Sequence, residues 1–139
     1  MTEYRTGYLS LDELEAEVIA VAEDLSAAGV ETAYVTYGFG CDSYDLPQRE
    51  AIPVSVGRLP WFVADSEVRG VYELGEADLD IAGGGVTYTL CHEHDVHCAG
   101  PDGSGLLRAV RERWRGQYPD CYAVNPRGKP RYLSDRERT

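Results

Sequence analysis

Leu79-Asp80-Ile81-Ala82-Gly83-Gly84-Gly85-Val86-Thr87-Tyr88-Thr89-Leu90 is the stretch that decides the fold. On either side of the glycines, apolar residues alternate with polar ones, many of them β-branched or aromatic. That is the period of half-buried strands. Three successive glycines permit the positive φ angles of a tight reversal. The stretch therefore reads as a β-hairpin, and a hairpin implies antiparallel pairing.

Directly after it comes Cys91-His92-Glu93-His94-Asp95-Val96-His97-Cys98, which contains all three histidines of the protein. If the second strand continues, its period of two places His92, His94, Val96 and Cys98 on the face of Val86, Tyr88 and Leu90. Cys91, Glu93, Asp95 and His97 then join Thr87 and Thr89 on the other face. Residues two apart on a strand lie roughly 6.6 Å apart at Cα, a spacing from which two imidazoles can converge on one ion. His92 and His94 are thus candidate ligands for zinc or another transition metal. Cys98 would be a third, or His97 if Glu93-His94-Asp95 forms a turn. Cys41, Cys121 or water would complete the set. The ordinary reading is that a strand leaving the core ends in polar residues, and it stands first. No Cys-x-x-Cys pair and no helical His-Glu-x-x-His is present.

Upstream, Ser10 and Glu13 have the spacing of a capping box, with Leu9 and Leu14 placed for a hydrophobic staple. Leu11, Leu14, Val18, Val21, Ala22 and Leu25 recur at three and four residues, predicting a helix over 11–28 that Gly29 ends. Asp12, Glu15, Glu23 and Asp24 fall on its other face. Residues 31–39 read as a strand. Residues 1–8 read as a loose lead-in or an edge strand carrying Tyr4 and Tyr8. Pro53 confines Ile52–Val56 to a sheet edge. Trp61-Phe62-Val63-Ala64 reads as core, although Trp-Phe after a proline also suits a binding anchor. Further on, Ser104 or Asp102 caps a helix from Gly105 to about Arg115 with a core stripe of Leu107, Val110 and Trp114. Two short strands follow, at 121–124 and 131–133, and 134–139 read as a loose end.

These elements give an α+β fold: a single two-layer domain over 1–139, with a mainly antiparallel sheet and two helices packed on one face. So few helices argue against a doubly wound parallel sheet. The Rossmann, P-loop and nucleophile-elbow fingerprints are absent.

The net charge of −11 is unevenly distributed. Residues 1–102 hold 20 acids and 4 bases, or −16, whereas 103–139 hold 4 acids and 9 bases, or +5. Such an acidic body argues against nucleic-acid binding through phosphates. It suits a highly soluble protein or one that docks on a basic partner. With no apolar run of membrane-spanning length, no signal-peptide pattern at Met1–Arg5 and four cysteines, the expectation is a cytoplasmic protein with reduced thiols.

Two functions fit. The first is a small binding module, of inhibitor or immunity type, that docks on a basic protein through Asp12, Glu15, Glu23, Asp24, Tyr34, Tyr44 and Trp61. The second is a metal-dependent hydrolase, with Glu93 as the base that activates metal-bound water. Cys41, just past a strand, is a further nucleophile candidate, but no imidazole is placed beside it by the sequence. Partner identity and oligomeric state are not legible.

Overall fold

The computed structural model describes residues 1–41, 50–125, 127 and 129–134. Helix α1 (Leu11–Ala27) begins as expected. Ser10 Oγ accepts from the Glu13 N–H at 3.2 Å, and the Glu13 carboxylate accepts from the Ser10 N–H at 3.0 Å. Leu9 and Leu14 are both buried, as a staple requires. The apolar stripe holds from Leu14 to Leu25, but Leu11 is 49% exposed, while Glu17, on the buried side, is fully enclosed.

The strands are β1 (Thr2–Arg5), β2 (Thr32–Tyr37), β3 (Ile52–Ser55), β4 (Leu79–Gly83), β5 (Val86–Cys91), β6 (Asp95–Gly100), β7 (Tyr122–Val124) and β8 (Pro130–Tyr132). They form one sheet in the order β3-β2-β4-β5-β6-β1-β7-β8, with every pairing antiparallel. Gly84 and Gly85, with φ of 60° and 83°, make the β4–β5 reversal. Pro53 lies on an edge strand, as a residue without an N–H should. β1 does not: it is paired on both sides, with β6 and β7.

Among the described residues three helices, not the expected two, lie on one sheet face. The third is α2 (Leu59–Val68), which follows a 3-10 turn at Val56–Arg58 and has Pro60 in its first turn. The last is α3 (Gly105–Gln117), capped by Ser104 Oγ on the Leu107 N–H at 3.1 Å. Their side of the sheet is marked by contacts to its inward residues. Tyr88 donates to Asp24 of α1, Tyr37 bonds Ser66 of α2, and α1 joins α3 through Glu17 and Arg113. Val35, Leu79, Ile81, Tyr88, Leu90, Val96 and Cys98 fill the layer between sheet and helices. Register places Thr36, Asp80, Thr89, His97, Arg5 and Tyr122 in one row across the opposite face. Among the described residues no helix lies on that face, so its residues alternate with the core as in a half-solvated antiparallel sheet.

Candidate functional site

The sheet's chemistry is concentrated at the β5–β6 reversal. Cys91 pairs with Asp95, leaving His92-Glu93-His94 as a three-residue loop. His94 has φ of 61°, the left-handed position that ends a loop of this length. Because three residues are spent in the turn, strand parity survives it. Leu90, Val96 and Cys98 face the core, and Cys91, Asp95 and His97 share the outer face with Thr89.

The structure groups the candidate ligands differently from the expected set. His92 lies against Asp78 and His94 against Glu76, and Cys98 is enclosed on the far side of the sheet, where burial pushes its thiol up to about 12. Among the described residues, two other groups bring three ligand atoms within 4.8 Å of one another: Asp78, Cys91 and His92, and Cys91, Asp95 and His97. These His/Cys/Asp groups could hold a metal ion. Of the four predicted ligands, His92 and His97 belong to them, in separate groups, and His94 and Cys98 do not.

Asp78 organises the tip. One carboxylate oxygen accepts from the His92 N–H at 2.7 Å and lies 2.8 Å from His92 Nδ1. Its backbone N–H donates to the Phe39 carbonyl at 2.7 Å and its carbonyl accepts from the Gly38 N–H at 3.0 Å, so it also pins the loop after β2. The Asp78 hydrogen bond, with the charges of Asp78, Glu93 and Asp95, raises the His92 pKa above its ordinary value against the opposing loss of solvation. Phe39, 68% exposed, tilts onto the His92 ring at 4.7 Å. Tyr8, 73% exposed, stacks on His94 at 5.3 Å with 16° between the planes. His94 Nε2 lies 3.2 Å from Glu76, and Glu93 projects from the apex with its side chain 75% exposed. The tip thus presents two aromatic rings amid three carboxylates.

Beside it, Asp95 is 8% exposed, and its Oδ2 lies 2.9 Å from His97 Nε2. Oδ1 is buried and has no hydrogen-bond partner. Burial works to raise this carboxyl's pKa, but His97, the Cys91 thiol alongside and Arg5 outweigh it and hold the group below the usual carboxylate range. Cys91 behaves oppositely: burial, with Asp95 and Asp78 close by, pushes its thiol up to about 12.

The remaining candidates are scattered. Cys41 donates to the Asp78 carbonyl at 3.4 Å, and burial raises its pKa, the opposite of an activated nucleophile. Glu93 lies 3.7 Å from His92 Nε2 but away from the Cys91–Asp95–His97 group. Asp12, Glu15 and Glu23 are exposed on α1, as expected. Asp24 is not, because it is paired with Arg113 at 2.6 Å. Trp61 is exposed on α2 rather than in the core, with the Arg58 guanidinium 5.0 Å over its ring. Tyr34 is exposed on the bare sheet face, opposite the helices, and Tyr44 lies outside the described residues. The six described residues of this set therefore do not form one surface. Sequence reading missed Asp78, Glu76, Phe39 and Tyr8. Only the two exposed aromatics carried a signal: each adjoins a glycine at a strand or helix boundary.

No protein-family model matches the chain, and neither a curated protein nor a solved structure matches it. No helix among the described residues is long and apolar enough to cross a membrane.

Proposed function

We propose that the chain is a protein-binding module that docks on a basic partner through the β5–β6 hairpin tip. The observation that supports it is the pairing of exposed Tyr8 and Phe39 with His94 and His92 inside a rim of Glu76, Asp78 and Glu93. Aromatic rings supply rigid contact area at little entropic cost and attract guanidinium or ammonium groups to their faces. Carboxylates around them select a cationic partner and steer its approach. A module of this kind acts by occupying its partner, as inhibitor and immunity-type proteins do. Compared with the first expectation, the docking surface moves from the α1 acids with Tyr34, Tyr44 and Trp61 to the end of the sheet.

Photo-crosslinking tests the assignment. Benzoylphenylalanine in place of Phe39 should capture a protein with a basic contact face, and Tyr8→Ala should abolish the capture. The same group in place of Ser26, exposed on α1, serves as the control. Equal capture from positions 26 and 39 would refute the tip as the docking surface.

A further inference from the structure

We propose that Cys91, Asp95 and His97 form a binding site for a single zinc-class divalent cation on the bare face of the sheet. The inference is independent of the docking reading, which uses other side chains.

Three observations carry it. First, Cys91 Sγ, an Asp95 carboxylate oxygen and a His97 ring nitrogen lie within 4.8 Å of one another. Around a tetrahedral zinc with bonds of about 2.0–2.3 Å, ligand atoms are separated by about 3.3–3.8 Å. Small side-chain rotations close that gap. Second, the site is held by rigid strands. Cys91 and Asp95 are direct partners across the β5–β6 ladder, and His97 follows Asp95 by two residues on the same face. Third, Asp95 Oδ1 is buried without a hydrogen-bond partner, on a side chain that is 12% exposed. A buried acceptor without a donor is destabilising, and a cation at this position would remove that deficit.

The donor set selects the class of ion. A thiolate and an imidazole favour zinc, cobalt(II) or nickel(II) over magnesium or calcium, which take oxygen ligands. Charge also balances: thiolate and carboxylate together neutralise a divalent ion beside a neutral imidazole. Arg5, on the neighbouring strand, opposes the cation, but it is bonded to Glu3 at 2.7 Å. On binding, the Cys91 S–H bond breaks, an Sγ–metal bond forms, and the proton leaves to solvent with no change in oxidation state. Three protein ligands leave a fourth position to water.

Cobalt(II) titration of the whole protein gives the test. One equivalent should produce a near-ultraviolet thiolate-to-cobalt charge-transfer band that zinc then bleaches. The band should disappear in Cys91→Ser and in Asp95→Asn. It should survive in His92→Ala, and in Cys41→Ser, which controls for the one half-exposed thiol elsewhere. His97→Ala should weaken cobalt binding at least tenfold, the usual consequence of losing one of three ligands. Circular dichroism of each metal-free variant shows whether the fold persists, and Asp95→Asn, nearly isosteric, keeps the test valid if Cys91→Ser fails to fold. The proposal is overturned if wild-type protein yields no such band at millimolar cobalt, or if the band survives Cys91→Ser. It is equally overturned if His92→Ala abolishes the band and His97→Ala leaves it intact, because the ion would then sit at Asp78, Cys91 and His92.

Discussion

Glu17 has no solvent contact, yet its carboxylate accepts from both Arg113 nitrogens, from Trp114 Nε1 at 3.1 Å and from Tyr118 Oη at 2.9 Å. Two charges taken out of water are tolerated only when every lone pair is met, and here each oxygen has two donors. Removing Arg113 would strand the carboxylate. Arg113→Met should therefore lower stability by about 3–5 kcal/mol, a large part of the roughly 5–15 kcal/mol typical of a domain. Glu17→Gln, which keeps acceptors for Trp114 and Tyr118, should cost less; urea denaturation of both variants compares them. Glu17 sits three residues after Leu14 and four before Val21, so the helical stripe pointed inward at this position. What was not legible was its partner, 96 residues away on α3, and a glutamate without a known partner reads as solvent-facing. A second residue-scale prediction concerns His92. Its pKa is raised in the folded state, chiefly by Asp78, so its ion pair contributes stability that is complete below about pH 6.5 and is lost as pH rises through the higher folded value. NMR titration should place His92 above 6.5 and Asp78→Asn should bring it back; a wild-type midpoint at or below 6.5 would contradict this assignment.

At the scale of elements, the β4–β5 hairpin was legible and the β5–β6 hairpin was not. The first announces itself with three glycines. The second turns through His92-Glu93-His94, where alternation runs on without a glycine, proline or asparagine, and places a histidine at φ of 61°. What holds His94 there is tertiary: Nδ1 lies 3.3 Å from the Leu9 carbonyl, Tyr8 covers one side of the ring, and Gly75 leaves room for it. A Cβ at Gly75 would stand 2.9 Å from His94 Nε2. Gly75 and Gly70 both have positive φ, but Gly70 has open space around it. Gly70→Ala should cost about 1–2 kcal/mol from backbone strain alone, and Gly75→Ala should cost more by the crowding of the ring. In a His94→Ala background that excess should vanish. Thermal melts of this four-variant set measure the coupling directly, and equal costs for the two glycines would show that the loop gives way without resistance. α2 was missed for a related reason. Trp61-Phe62-Val63-Ala64 is apolar on every side, and a short run without periodicity does not tell helix from buried strand.

At the scale of the molecule, one face of the eight-stranded sheet carries three helices and, among the described residues, the other carries none. The class of fold was legible because it needs only hairpins and two amphipathic helices. Strand order was not: β1 enters between β6 and β7, a non-local pairing that no local pattern encodes. The charge division has the same character. The basic C-terminal third is partly consumed inside the fold, where Arg113 bridges Glu17 and Asp24. Among the described residues, the ion-pair partners of the carboxylates at the hairpin tip are His92 and His94. An acidic rim of this kind acts over a Debye length of about 8 Å at physiological ionic strength, so docking through it must depend on salt. Exposed ion pairs contribute about 0.2–1 kcal/mol each. Three rim carboxylates thus predict an affinity for the captured partner that falls about tenfold between low salt and 0.5 M, mainly through slower association. Glu76→Gln combined with Glu93→Gln should flatten that dependence and leave the melting temperature within a few degrees of wild type, since both side chains are largely exposed. Surface plasmon resonance across a salt series reads both the slope and the rate that carries it. An affinity indifferent to salt would mean that the aromatic rings bind alone and the acidic rim serves only to keep the chain in solution.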